Sequence, residues 1–141
     1  MTVDLNPYLN FRGRARDAME FYKSVFGGEL TISTFSELGA ATDPSENDLV
    51  MHSDLSGPHG IRFMAADVPS HMEYAEGSNF SMSLSGDDED ELRGYFDKLT
   101  DGGTVVMPLE KAPWGDTFGM CIDPFGIRWL VNIGTGEGAE S

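Results

Sequence analysis

Only nine of the 141 residues are lysine or arginine, and only one, Cys121, is a cysteine. Against 24 aspartates and glutamates, the shortage of positive charge leaves a formal net charge of −15. Such a surface repels nucleic acid and anionic lipid, so neither a nucleic-acid nor a membrane partner is expected. A single cysteine cannot close an intrachain disulfide, which fits a reducing compartment and a cytoplasmic protein. No run reaches the roughly 18–20 apolar residues that span a bilayer. The opening "MTVDLNPYLNF" lacks both the basic and the long apolar parts of a secretory signal. Histidine is scarce too: His52, His59 and His71 are the full set, and no Cys/His spacing suits zinc. The acidity itself is open to three readings: plain solubility, adaptation to salt, or attraction of cationic ligands.

What the chain does have is a pattern stated twice. In "GRARDAMEFYKSVFGGEL", residues 13–30, Ala18, Phe21, Tyr22, Val25 and Phe26 recur at helical spacing, and Gly27-Gly28 stops the helix. In "DDEDELRGYFDKLTDGG" Leu92, Tyr95, Phe96 and Leu99 repeat that spacing and Gly102-Gly103 repeats the stop. Asp87 is the expected N-cap of this second helix. A strand candidate precedes each helix, "NPYLNF" at 6–11 and "NFSMSLS" at 79–85, and three follow it. The last strand of each set is nearly the same string, "GIRFM" at 60–64 and "GIRWL" at 126–130. The fold class is therefore α+β, two β-α-β-β-β modules at about 4–67 and 79–133. A linker at 68–78 and a mobile tail at 134–141 complete a single domain. A sheet covered by a helix on one face leaves its other face for use, and two such sheets can form a curved trough with helices outside.

"PYLNFRGRARDAMEFYKSVFGGEL", "VMHSDL", "SLSGDDEDELRGYFDKL" and "GGTVVMPLEKAPWGDTFGMCIDPFGIRW" together resemble the vicinal oxygen chelate superfamily. This is the fold of glyoxalases, bleomycin-resistance proteins and extradiol dioxygenases, and the nearest likeness is to its PhnB-like branch. The resemblance implies a homodimer, and for the superfamily's enzymes a divalent metal held from the first and fourth strands of each module. The positions it carries over are Pro7, Met64, Ser81 and Leu130. A shift of one residue gives Asn6 or Tyr8, Phe63 or Ala65, Phe80 or Met82, and Trp129 or Val131. Neither set supplies the imidazoles and carboxylates that a divalent ion prefers. The expectation is no metal and no cofactor. PhnB-like sequences are sometimes labelled methyltransferases of quinone biosynthesis, but no glycine-rich nucleotide loop follows a strand here.

The residues themselves nominate a binding face. His52 lies on a strand, where Val50 and Asp54 would share its side; it is either a proton-transfer or ligand contact, or a half-buried structural histidine. Trp114 and Asp116, in "WGD" after Pro113, would set an aromatic wall beside a carboxylate, suited to a cationic or aromatic ligand. The alternative is an edge tryptophan and a turn aspartate. Ser81, Ser83 and Ser85 alternate with apolar residues and would line the helix-free face. Arg12, Arg14 and Arg16 crowd the start of the first helix, as an anion site or as surface arginines with acidic neighbours. Cys121 reads as a structural thiol and the eight methionines as core filler. The expected ligand contacts are His52, Met64, Ser81, Ser83, Trp114, Asp116 and Leu130. The expected function is metal-free binding of a small organic molecule. The alternative is a metal-dependent lyase or dioxygenase using His52, Asp54 and Asp116, and a third is an interaction module without a ligand.

Overall fold

In the computed structural model, residues 5–39, 41, 43–75, 77 and 79–134 are described. The first strand, β1 (Tyr8–Phe11), leads into helix α1 (Ala15–Phe26) and three more strands, β2 (Glu29–Thr34), β3 (Val50–Ser56) and β4 (Arg62–Asp67). The second set repeats that order: β5 (Met82–Gly86), α2 (Glu89–Thr100), β6 (Thr104–Lys111), β7 (Thr117–Ile122) and β8 (Arg128–Ile133). Short 3-10 turns at Pro44–Glu46 and Pro58–Gly60 are the only regular elements outside this pattern among the described residues. The chain divides into two compact units between Ala75 and Glu76. Apart from Gly134, the tail expected at 134–141 lies outside the described residues, as do positions 76 and 78 of the expected linker.

The two sheets share one topology. In the first unit the strand order is β1-β4-β3-β2, and in the second it is β5-β8-β7-β6. In each, the strand before the helix pairs parallel to the last strand and the remaining pairs are antiparallel. In each unit the helix carries the chain from the first strand to the opposite edge of the sheet, and loops return it through antiparallel neighbours to the last strand, which lies parallel beside the first.

Alternation decides which face is covered. In the first unit Leu9, Phe11, Leu55, Phe63 and Ala65 are buried with Ala18, Met19, Tyr22, Val25 and Phe26 of α1. Edge-on ring contacts of Phe63 with Tyr22 (5.3 Å) and Phe26 (6.2 Å) fix the helix to the sheet. In the second unit Trp129, Val131, Ile133 and Cys121 are buried with Leu92, Tyr95, Phe96 and Leu99 of α2. The N-cap of α2 is Asp88, which accepts from the Glu91 backbone N–H at 3.2 Å, rather than Asp87. Glu89, Asp90 and Glu91 in the first turn complement the helix dipole.

Candidate functional site

The residues opposite the buried set form the helix-free face of each sheet. In the first unit Tyr8 pairs across β1 and β4 with Met64, and Met64 pairs across β4 and β3 with Asp54. His52 stands two residues from Asp54 on the same side. Val50 does not join them. The register slips between Ser33 and Thr34, leaving Met51 as an extra residue in β3. The bulge turns Val50 into the core, where it is 1% exposed.

Two polar pairs occupy this face. The Tyr8 hydroxyl lies 3.5 Å from His52 Nδ1, with the rings 6.0 Å apart. It crosses β4 to reach β3. Burial pushes the Tyr8 phenol pKa up from 10.0. Arg62 donates to both carboxylate oxygens of Asp54, at 2.8 and 3.3 Å. These hydrogen bonds, with the guanidinium charge and the nearby His52, hold the Asp54 carboxyl below its ordinary value although partial burial opposes them.

In the second unit Ser83 pairs with Leu130, Ser85 with Asn132, and Asn132 in turn with Phe118 on β7. Ser81 lies one residue before β5 and outside this register. Trp114 and Asp116 sit in the turn between β6 and β7 rather than on a strand. Their meeting point is Asn132. Trp114 Nε1 donates to Asn132 Oδ1 at 3.2 Å, and Asn132 Nδ2 donates to Asp116 Oδ2 at 2.9 Å. The Trp114 ring stands edge-on to Phe118 at 5.5 Å and remains 61% exposed. Two aromatic walls, an amide and a carboxylate thus converge on one patch. Asn132 was not singled out from the sequence, although a lone polar residue in "WLVNI" facing away from Val131 and Ile133 is a usable signal.

Several other candidates have structural partners. Arg12 donates to the carbonyls of Pro69 and Met72 and lies 5.3 Å from the Tyr74 ring centroid. That strap on the chain leaving β4 uses the side chain the anion reading would need. His59 and His71 are exposed, as expected of turn and linker positions. Burial, reinforced by Asp123, pushes the Cys121 thiol up to about 11, so it stays protonated and inert at neutral pH.

Among the described residues, the first- and fourth-strand positions of the two units do not suit the metal that the resemblance would imply. The register puts Tyr8, not Pro7, beside Met64, and Ser83, not Ser81, beside Leu130. A neutral phenol with a thioether, or a hydroxyl with an aliphatic chain, is a poor donor set for a divalent ion. Among the described residues no group of three or more His, Cys, Asp or Glu could hold one. No helix there is long and apolar enough to cross a membrane.

Comparison with known proteins agrees with this architecture. Protein YjdN of Escherichia coli K12 is 29% identical over 140 residues, covering 93% of this chain and 95% of that protein. Protein PA1353 of Pseudomonas aeruginosa has a crystal structure that superposes with a TM-score of 0.81 at 34% identity, covering 94% of this chain and 98% of that one. The PhnB protein of Bacillus cereus superposes with a TM-score of 0.76 at 27% identity, covering 94% and 100%. The family model for the Glyoxalase/Bleomycin resistance protein/Dioxygenase superfamily matches residues 5–131. With a family match over most of its length and two β-α-β-β-β units of the same form, the chain belongs to the Glyoxalase/Bleomycin resistance protein/Dioxygenase superfamily.

Proposed function

We propose that the protein binds a small organic molecule without a metal, and that the ligand is an aromatic or cationic compound received on the helix-free face of the second unit. The observation that carries this reading is the Trp114–Asn132–Asp116 chain beside Phe118. An exposed indole is costly to leave in water and ready to stack. Asp116 spends one oxygen on Asn132, and a carboxylate has further lone pairs for an ammonium or amidinium group. The net charge of −15 draws cations toward such a site. Leu130, Ser83 and Met120 give the patch an apolar and small-lined floor. In the first unit His52 and Met64 stand on the equivalent helix-free face. The protein acts as a homodimer in the reducing cytoplasm, where its one buried thiol needs no protection.

The test is a titration with benzyltrimethylammonium, followed by the fluorescence of Trp114 against buried Trp129 and by melting temperature. Saturable binding should weaken roughly tenfold or more in Trp114→Ala, the scale of a desolvated cation–π contact. Asp116→Asn should weaken the cation but not neutral benzyl alcohol. Failure of both probes to bind, or unchanged affinity in Trp114→Ala, would sink the reading. One tightly held metal per chain in protein purified without chelator would put the metal-dependent lyase or dioxygenase in its place.

A further inference from the structure

The two units pair their last strands in the same register. Asp54 opposite Met64 in the first answers to Met120 opposite Leu130 in the second, and Ser53 opposite Ala65 answers to Gly119 opposite Val131. Carried two residues further, that correspondence sets Asn132 where the first unit has Ala66. Ala66 is buried, so the topology by itself asks for no polar group at this position. Asparagine is also among the residues that strands disfavour. The amide is explained by what it touches.

Its two partners leave it one orientation. An indole N–H only donates and an ionised carboxylate only accepts, whereas an amide has an acceptor at one end and a donor at the other. With Oδ1 accepting from Trp114 and Nδ2 donating to Asp116 Oδ2, both bonds are made. Turned over, the amide would set N–H against N–H and oxygen against oxygen, and lose both. The backbone of the turn is closed without it, by the Ala112 N–H to the Asp116 carbonyl (2.7 Å) and the Gly115 N–H to the Ala112 carbonyl (2.9 Å). What Asn132 adds is the direction of the two side chains. It projects from β8, an inner strand paired with both β5 and β7, and a rigid element is the better base for that task.

Direction matters for only one kind of cation. A hydrogen bond weakens steeply as it bends, whereas the pull of a charge or a ring face on a quaternary ammonium changes gradually with position. A carboxylate held through one oxygen keeps its remaining lone pairs aimed, and only a ligand with N–H groups can use that aim.

We infer that Asn132 is a positioning residue that makes this site select aromatic cations bearing N–H groups, arylalkylammonium or arylamidinium, over quaternary ammonium. The inference rests on the binding reading above and narrows its ligand class. The test is calorimetric titration of the full chain at neutral pH with benzylammonium and with benzyltrimethylammonium, in wild type and Asn132→Ala, with circular dichroism melts to verify folding. Alanine is the residue the first unit already carries at this position. Wild type should prefer benzylammonium by roughly tenfold or more, the scale of one hydrogen bond to a charged group. In Asn132→Ala that ratio should fall toward one. A loss equal for both cations, with the ratio kept, would make Asn132 a structural support and overturn the inference. Equal wild-type affinities would overturn it without any variant and leave the binding reading standing. Binding of neither cation would overturn both.

Discussion

Arg12, Arg14 and Arg16 place positive charge where the dipole of α1 is already positive, and Arg14 at its N-cap makes no side-chain capping hydrogen bond. The answer comes from Asp67, more than fifty positions along the chain. Its Oδ1 accepts from the backbone N–H of Gly13 (2.8 Å) and Ala15 (3.0 Å), and its Oδ2 accepts from Val50 (3.0 Å). One carboxylate therefore ties together the start of α1, the start of β3 and the end of β4. Asp123 does the same for the turn before β8, accepting from Phe125 and Ile127 and from the Trp129 indole. Removing Asp67 strands three donors at a site 4% exposed. Asp67→Ala should lower stability in urea by on the order of 3 kcal/mol, while Asp67→Asn, which keeps one acceptor, should lose less. Equal stability of Asp67→Ala and wild type would show that water replaces the carboxylate.

The glycine pair after each helix shows how one sequence signal can serve two physical needs. Gly27 and Gly102 have φ of 77° and 83° and turn the chain out of the helix. The second glycine of each pair answers to crowding, and Gly28, at φ 95°, to backbone conformation as well. A Cβ on Gly28 would stand 2.1 Å from the Ser56 carbonyl oxygen, and one on Gly103 would stand 2.3 Å from that of Ile122. The obstacles are backbone in both cases and cannot rotate away. Gly28→Ala and Gly103→Ala should each cost more than about 2 kcal/mol in chemical denaturation, the size of overpacking with backbone displacement. Losses below about 0.5 kcal/mol, as at an ordinary surface site, would show that the hairpins give way. The helices and the order of elements along the chain were legible because 3.6-residue spacing and glycine stops are local signals, whereas the order of strands within each sheet was not. Nor was register. The bulge at Met51 reverses Val50, and β5 and α2 match their counterparts with unequal offsets, so Ser83 takes the place beside Leu130 that Ser81 was expected to fill. Asn132 was missed for a related reason: its partners, Trp114 and Asp116, reach it from a turn and not from strand alternation.

At the scale of the whole molecule the excess of acid sets how stability responds to pH and salt. Ion pairs among the described residues include Arg62–Asp54 and Arg93–Glu89, and nine basic residues cannot partner all 24 acids. Other carboxylates are held by N–H and hydroxyl groups: Asp43 by Ser45 and Glu46 by Ser70, each below its ordinary value of 3.8 or 4.5. With Asp54, their folded pKa values lie beneath the unfolded ones, so their contribution is present above about pH 4.5 and is lost as pH falls through the folded values. Self-repulsion acts the other way, strongest when every acid is ionised and relieved as pH approaches the pI of 4.2. On the alkaline side Cys121 is pushed up to about 11 and Tyr95, chiefly by burial and then by its hydrogen bond to Glu91, to about 12. Both folded values exceed the ordinary 9.0 and 10.0, so their contribution is complete below pH 9 and lost as pH rises from there toward 12. Stability at low salt should therefore peak at about pH 5–6, between the acid loss and the growing repulsion. Raising ionic strength from 0.01 to 0.15 M shortens the screening length from about 30 to about 8 Å. It should raise the stability at pH 8 and do little near the pI. Urea melts from pH 3 to 11 at both ionic strengths check this. A low-salt maximum at or above pH 8, or a salt effect equal at pH 4.2 and pH 8, would mean that local hydrogen bonding outweighs the net charge.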